Sequence, residues 1–165
     1  MGNQQESEII ITRVFDVSRD LVWQSWTDPE QFKRWWGPKN FTAPVVKIDL
    51  RVGGKYLYCM RSAEGREFWS TGTYDKIIQH EQLVCTDSFA DEKGNIVPAS
   101  HYGMTGDNWP MTTNITVTLI EMGNKTKMIL AHLGIPLQIK EMCTAGWNEE
   151  FDKLAESLTL LKENN

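Results

Sequence analysis

The chain has 165 residues, 41% of them apolar and 24% charged, with a net charge of -5 and a pI near 5.2. That composition is ordinary for a folded globular domain and, with no lysine or arginine cluster interleaved with aromatics, argues against a nucleic-acid partner. No run of 18 apolar residues occurs, and Met1 to Ser7 is polar with no basic-then-apolar pattern, so membrane insertion and a secretory leader are not expected and a cytoplasmic protein is.

In chain order, Glu8 to Val17 is short and rich in β-branched residues, which predicts an opening strand. Ser18 is placed to cap a short helix reaching about Trp26, and Asp28-Pro29-Glu30-Gln31 repeats the device, with Asp28 as cap, Pro29 in the first turn and Gln31 where a capping-box partner reaches back. Phe32, Trp35 and Trp36 then fall at i, i+3 and i+4 on one inward face, and Gly37-Pro38 ends the helix. The motif "RWWGPKNF" therefore reads as helix, stop and anchor.

From Pro44 the pattern changes to period two, predicting strands near Val45 to Leu50, Lys55 to Arg61, Phe68 to Ile78, Gln82 to Phe89, Asn114 to Glu121 and Lys125 to His132. Short turns join most of them, as an antiparallel meander requires. The exception is Ala90 to Met111, a Gly/Pro/Asp-rich loop with embedded aromatics, long enough to suggest a site. A last helix from about Leu137 to Leu161 carries Ile139, Cys143, Trp147, Phe151, Leu154, Leu158 and Leu161 as one apolar stripe, with Lys140, Glu149, Glu150, Lys153 and Glu156 on the other side. The expected architecture is α+β, one domain over residues 8–161 with flexible tails at 1–7 and 162–165, its long helix lying across a curved antiparallel sheet.

Several segments resemble a known family: "RVFDVSRDLVWQSWTDPEQFKRWWGP", "GGKYLYCMRS", "SHYGMTGDNWP", "TVTL", "KTKMILAHLGIP" and "GWNEEFDKLAESL". Together, from about Ile9 to Leu158, they look like the activator of heat-shock protein 90 ATPase-like branch of the START-like (SRPBCC, helix-grip) superfamily. The resemblance implies a β-α-α-β-β-β-β-β-β-α order and an apolar cavity between the sheet and the gripped C-terminal helix. It also implies a range of functions, since the superfamily holds lipid carriers, cyclases, hormone-binding proteins and chaperone regulators, and a fold does not choose among them. In the eukaryotic co-chaperone a separate N-terminal domain contributes to chaperone binding. Nothing like it precedes Glu8, which favours the expectation of a stand-alone domain.

Three readings follow. In the first, Tyr56, Tyr58, Met60, Met128, His132, Trp147 and Phe151 line the cavity and bind a lipid-like or aromatic molecule without a cofactor. In the second, the chain is an interaction module regulating a chaperone. In the third, a cyclase or isomerase uses His101, Tyr102, Asp107 or His132 for proton transfer, which requires at least two of them to converge inside the cavity. For His132 the alternatives are ligand orientation and a buried imidazole satisfied internally; for the loop, a lid and self-packing by Tyr102, Met104 and Trp109. Trp36 is expected to pack under the rim as structure, and Arg13 to pair with an acidic group. His80, His101 and His132 lack metal-binding spacing, no Gly-x-Ser-x-Gly elbow or phosphate-cradling loop occurs, and Cys59, Cys85 and Cys143 are expected as reduced thiols.

Overall fold

A computed structural model of the protein describes residues 6–104, 106 and 108–164. Strand β1 (Glu6–Phe15) leads into helices α1 (Arg19–Thr27) and α2 (Pro29–Phe32), followed by β2 (Thr42–Ile48), β3 (Lys55–Arg61), β4 (Glu67–Ile78), β5 (Gln82–Ala90), β6 (Thr113–Met122), β7 (Lys125–Pro136) and α3 (Lys140–Glu163). Short 3-10 turns at Ala99–Tyr102 and Leu137–Ile139 precede β6 and α3. The strands form one antiparallel sheet of seven in the order β1-β7-β6-β5-β4-β3-β2. This is the α+β helix-grip arrangement expected from the sequence.

The apolar stripe of α3 explains its position. Phe151, Leu154 and Leu158 are fully buried against Ile9, Met128 and Leu130 from the first and last strands and Val22 from α1, in one continuous core. The "RWW" motif fastens α1 and α2 to the sheet. Phe32 and Trp35 are inaccessible to solvent, Phe32 stacks on Tyr58 of β3 at 4.2 Å, and the Trp35 indole N–H donates to the Ser25 carbonyl at 2.9 Å. Trp36 is half-buried between Phe32, Tyr58 and Trp147. Arg13 reaches Asp152 at 2.9 Å and the backbone and side chain of Asn148 on α3.

Five local expectations differ from the structure. The helix expected to run to Gly37-Pro38 closes at Phe32, and Trp35 and Trp36 stand in the turns beyond it. The Ser18 side chain makes no cap bond to the helix and instead donates to the Asp20 carboxylate. Asp28 does cap α2, accepting from the Glu30 amide at 2.9 Å, but Gln31 has no capping-box role, because the Asp28 amide is already given to the Gln24 carbonyl at the end of α1. β2 starts earlier, at Thr42, with Pro44 accommodated in a register shift on an edge strand where its missing amide hydrogen costs least. β7 runs past His132 to Pro136, since Ile135 is buried and continues the pairing with β1 through a bulge at Ser7 and Glu8.

Candidate functional site

The helix and sheet do not close completely. Between the first half of α3, the ends of β3, β4 and β5, and the long loop lies a chamber of about 310 Å³. The helix contributes Met142, Cys143, Gly146, Trp147 and Glu150, the strands Met60, Phe68, Phe89 and His132, and the loops Pro38, Phe41, Met104 and Trp109. A side chain at Gly146 would project into open space, so this glycine is one reason the chamber exists. Phe89, Trp109 and His132 also wall a smaller recess of about 70 Å³ lined by Ser70, Asp87, Ser88 and Thr113, so the two spaces adjoin.

His132 is held between chamber and recess by a chain of hydrogen bonds. The Trp147 indole N–H donates to Nδ1 at 3.1 Å, so Nδ1 carries no hydrogen and Nε2 does. Nε2 then donates to the Thr113 hydroxyl at 2.8 Å, which in turn donates to the Asp87 carbonyl at 3.3 Å. Burial holds the imidazole down to a pKa of about 4, so it is neutral at physiological pH. Both nitrogens are committed, and the ring serves the chamber as a wall.

Asp87 carries a different signature. The Tyr56 hydroxyl lies 2.7 Å from both Asp87 Oδ1 and the Thr86 carbonyl, although it has one hydrogen to give. The pattern balances when Tyr56 donates to Thr86 and Asp87 keeps a proton that it donates to Tyr56. Burial pushes the Asp87 carboxyl up to about 7, which agrees, even though part of its surface opens onto the recess.

On α3, Glu150 belongs to the chamber wall and is 7% exposed, a correction to its expected place on the polar side of the helix. Burial pushes its carboxyl well above the usual carboxylate range, opposed by Lys153 and by the Gly37 amide. One turn on, Lys153 points its ammonium into the turn after α2, within 3.5 Å of the carbonyls of Trp36, Gly37, Pro38 and Phe41.

Of the residues expected to line a cavity, the structure places Met60, His132 and Trp147 on the chamber. Tyr56 and Tyr58 stack on each other at 4.1 Å and border a void of about 10 Å³ deeper in the core, with Trp147 on its other side. Met128 and Phe151 are fully buried behind it; Met128 accepts a hydrogen bond from the Trp26 indole at 3.4 Å.

Among the described residues, the candidates for proton transfer are not brought together. Tyr102 is tied to the sheet, its hydroxyl donating to the Ala90 carbonyl and accepting from the Trp69 amide at 3.0 Å, while Arg66 donates to its carbonyl at 2.6 Å. His101 is exposed beside it, and Asp107 lies outside the described residues. Cys59 and Cys85 are buried free thiols, and Cys143 stands in the chamber wall. The loop does cover the chamber, through Met104 and Trp109.

Sequence reasoning missed Glu150, Asp87 and Gly146. Asp87 was legible in principle, because the alternation Leu83, Cys85, Asp87, Phe89 puts a carboxyl on the inward face of β5. Glu150 sits at the border of a helical stripe, where small rotations decide burial.

A second opening, about 530 Å³, lies where β1 meets the last turns of α3. It is a surface groove bridged by Lys162, whose ammonium lies 3.2 Å from the Asp16 carboxylate. Among the described residues no helix is long and apolar enough to cross a membrane.

A seven-stranded antiparallel sheet gripping a long C-terminal helix, with an apolar chamber between them, defines a START-like domain. Within that class the chain belongs to the family of Activator of Hsp90 ATPase homolog 1-like proteins, whose model matches residues 16–159. Comparison with curated proteins finds no match. Among solved structures, a protein from Arthrobacter aurescens is similar at 28% identity and a TM-score of 0.77, over 92% of this chain and 86% of that one. One from Chromobacterium violaceum is 25% identical with a TM-score of 0.76, over 92% and 96%. The AHSA1 protein from Silicibacter pomeroyi, at 18% identity and a TM-score of 0.74 over 93% and 99%, shares the fold.

Proposed function

We propose that this chain is a small-molecule-binding domain that encloses a lipid-like or aromatic ligand between its sheet and α3. The observation that carries the reading is the 310 Å³ chamber, whose wall is almost wholly carbon and sulfur. Its size falls at the lower end of ligand sites, roughly 300 to 1,000 Å³, and favours compact ligands over long acyl chains. Dry aromatic and methionine surface is what an apolar ligand gains by leaving water.

Trp109 and Trp147 both stand in the wall, so occupancy should change indole fluorescence. Titration with fatty acids, sterols, flavonoids and aromatic polyketides should give saturable quenching for at least one class. Trp147→Ala should weaken that binding by about tenfold or more, through lost aromatic contact and the release of His132. Absence of saturable binding across the panel would count against the proposal.

A second reading, regulation of a chaperone, draws on the family's description and on an apolar strip on the outer sheet face, where Ile10 and Val14 of β1 and Leu133 of β7 are about half exposed. It predicts that purified heat-shock protein 90 is retained by the immobilised chain, and that Ile10→Lys with Leu133→Lys releases it; no retention would remove it.

A further inference from the structure

Glu150 on α3 and Trp109 on the long loop both wall the chamber, and each keeps a buried polar atom, Oε2 and Nε1 respectively, with no partner among the described residues. Leaving such atoms unpaired is costly, and natural domains seldom do so without a use for them. The character of the two atoms identifies what would pair with them. An indole N–H can only donate.

For Glu150 the surroundings decide. The groups that act on its carboxyl are the Gly37 amide from the turn after α2, Lys153 and Glu149 from α3, and Asp87 from β5. Lys153 is committed to the four carbonyls of that turn, and Glu149 accepts from the Lys39 amide at 3.1 Å. His132 is neutral with both nitrogens in use, and no lysine or arginine is among the described residues of the wall. A carboxyl in that setting keeps its proton, accepts from Gly37 through one oxygen and carries at the other an O–H without a partner among the described residues. Both unpaired groups are then donors.

We infer that the chamber selects uncharged ligands with an apolar or aromatic body and a hydrogen-bond acceptor, such as a carbonyl oxygen, received by Glu150 and Trp109. The inference rests on the ligand-binding reading above and narrows it. A carbonyl oxygen has two lone pairs and can meet one donor or both. A carboxylate ligand would bring charge into a chamber without a cation, and an amine would have to take the proton from Glu150 in a site that disfavours ions.

Four probes of one skeleton separate these cases: benzophenone, diphenylmethane, diphenylacetate and aminodiphenylmethane, titrated calorimetrically at pH 7. Benzophenone should bind about tenfold or more tightly than diphenylmethane, the effect of satisfying buried donors, and more tightly than either charged probe. Glu150→Leu should erase most of that advantage, read as the ratio of the benzophenone and diphenylmethane affinities of the variant falling towards one. Equal affinity for ketone and hydrocarbon in the wild type would overturn the inference while leaving an apolar binding chamber in place, and that comparison needs no variant. Tightest binding of the amine would overturn it too, by making Glu150 an anion. If none of the four binds, the ligand-binding reading fails with it.

Discussion

Lys153 crosses from α3 to the turn after α2 and there meets four carbonyls that the "WWGPKNF" turn leaves without helical partners. It acts as a helix-end cap supplied from another element, while Gly37, having no Cβ, takes a left-handed φ of 96° and lets Phe41 pass closely. Lys153→Met should therefore destabilise the fold by about 1–3 kcal/mol, read as a lower urea midpoint at unchanged slope. At the same scale Asp87 and His132 give opposite pH dependences. The Asp87 pKa rises from about 3.8 unfolded to about 7 folded, so the folded state holds the proton more tightly; the stabilisation is complete below pH 4 and is lost as pH rises through 7. His132 falls from 6.5 to about 4, so its contribution is present above pH 6.5 and is lost as pH drops through 4. The two oppose each other below pH 6.5, and Asp87 dominates the difference between pH 6.5 and 8. Asp87→Asn should gain on the wild type by on the order of 2 kcal/mol as pH is raised from 5 to 8. A constant difference across that range would show that Asp87 is ionised in the fold.

At the scale of elements, β4 bends over Tyr56 where Gly72 faces it across the ladder. A Cβ on Gly72 would lie 2.0 Å from the Thr86 carbonyl oxygen and 2.5 Å from the Tyr56 ring, so neither backbone nor aromatic can yield without moving the Tyr56 hydroxyl from Asp87. Gly72→Ala should cost about 3 kcal/mol or more, beyond ordinary overpacking, measured by chemical denaturation. Such contacts also mark how far the sequence could be read. Period-two strands, the Asp28 cap and the α3 stripe follow from local chemistry, and the elements they predict are present. Ends that depend on a neighbour were not legible: β7 continues through Gly134 and Pro136 because β1 lies beside it. The site divides in the same way. Met60, His132 and Trp147 could be placed by alternation and helical spacing, whereas the chamber needs Gly146 and Glu150 of α3 to meet the turn after α2 and a distant loop.

For the whole molecule, the fold leaves one end of the grip open and fills the other. Aromatic rings from α1, α2, β3 and α3 interlock around Trp26, Phe32 and Phe151 at one end, while the other stops short at Gly146 beneath the loop of Met104 and Trp109. This asymmetry makes the chamber a property of the architecture, tunable at one helical position. Gly146→Leu supplies a better helix former, worth about 0.5–1 kcal/mol, and should raise stability while filling the space a ligand would use. Amide chemical-shift mapping with naphthalene, on the wild type and on Gly146→Leu, locates an apolar ligand in or outside the chamber. Wild-type perturbations should centre on Met60, Phe68, Phe89 and the Met142 to Glu150 turns of α3, and should disappear in the variant. Perturbations that persist in Gly146→Leu, or that centre on the groove between Val14 and Lys162, would contradict a ligand site in the chamber.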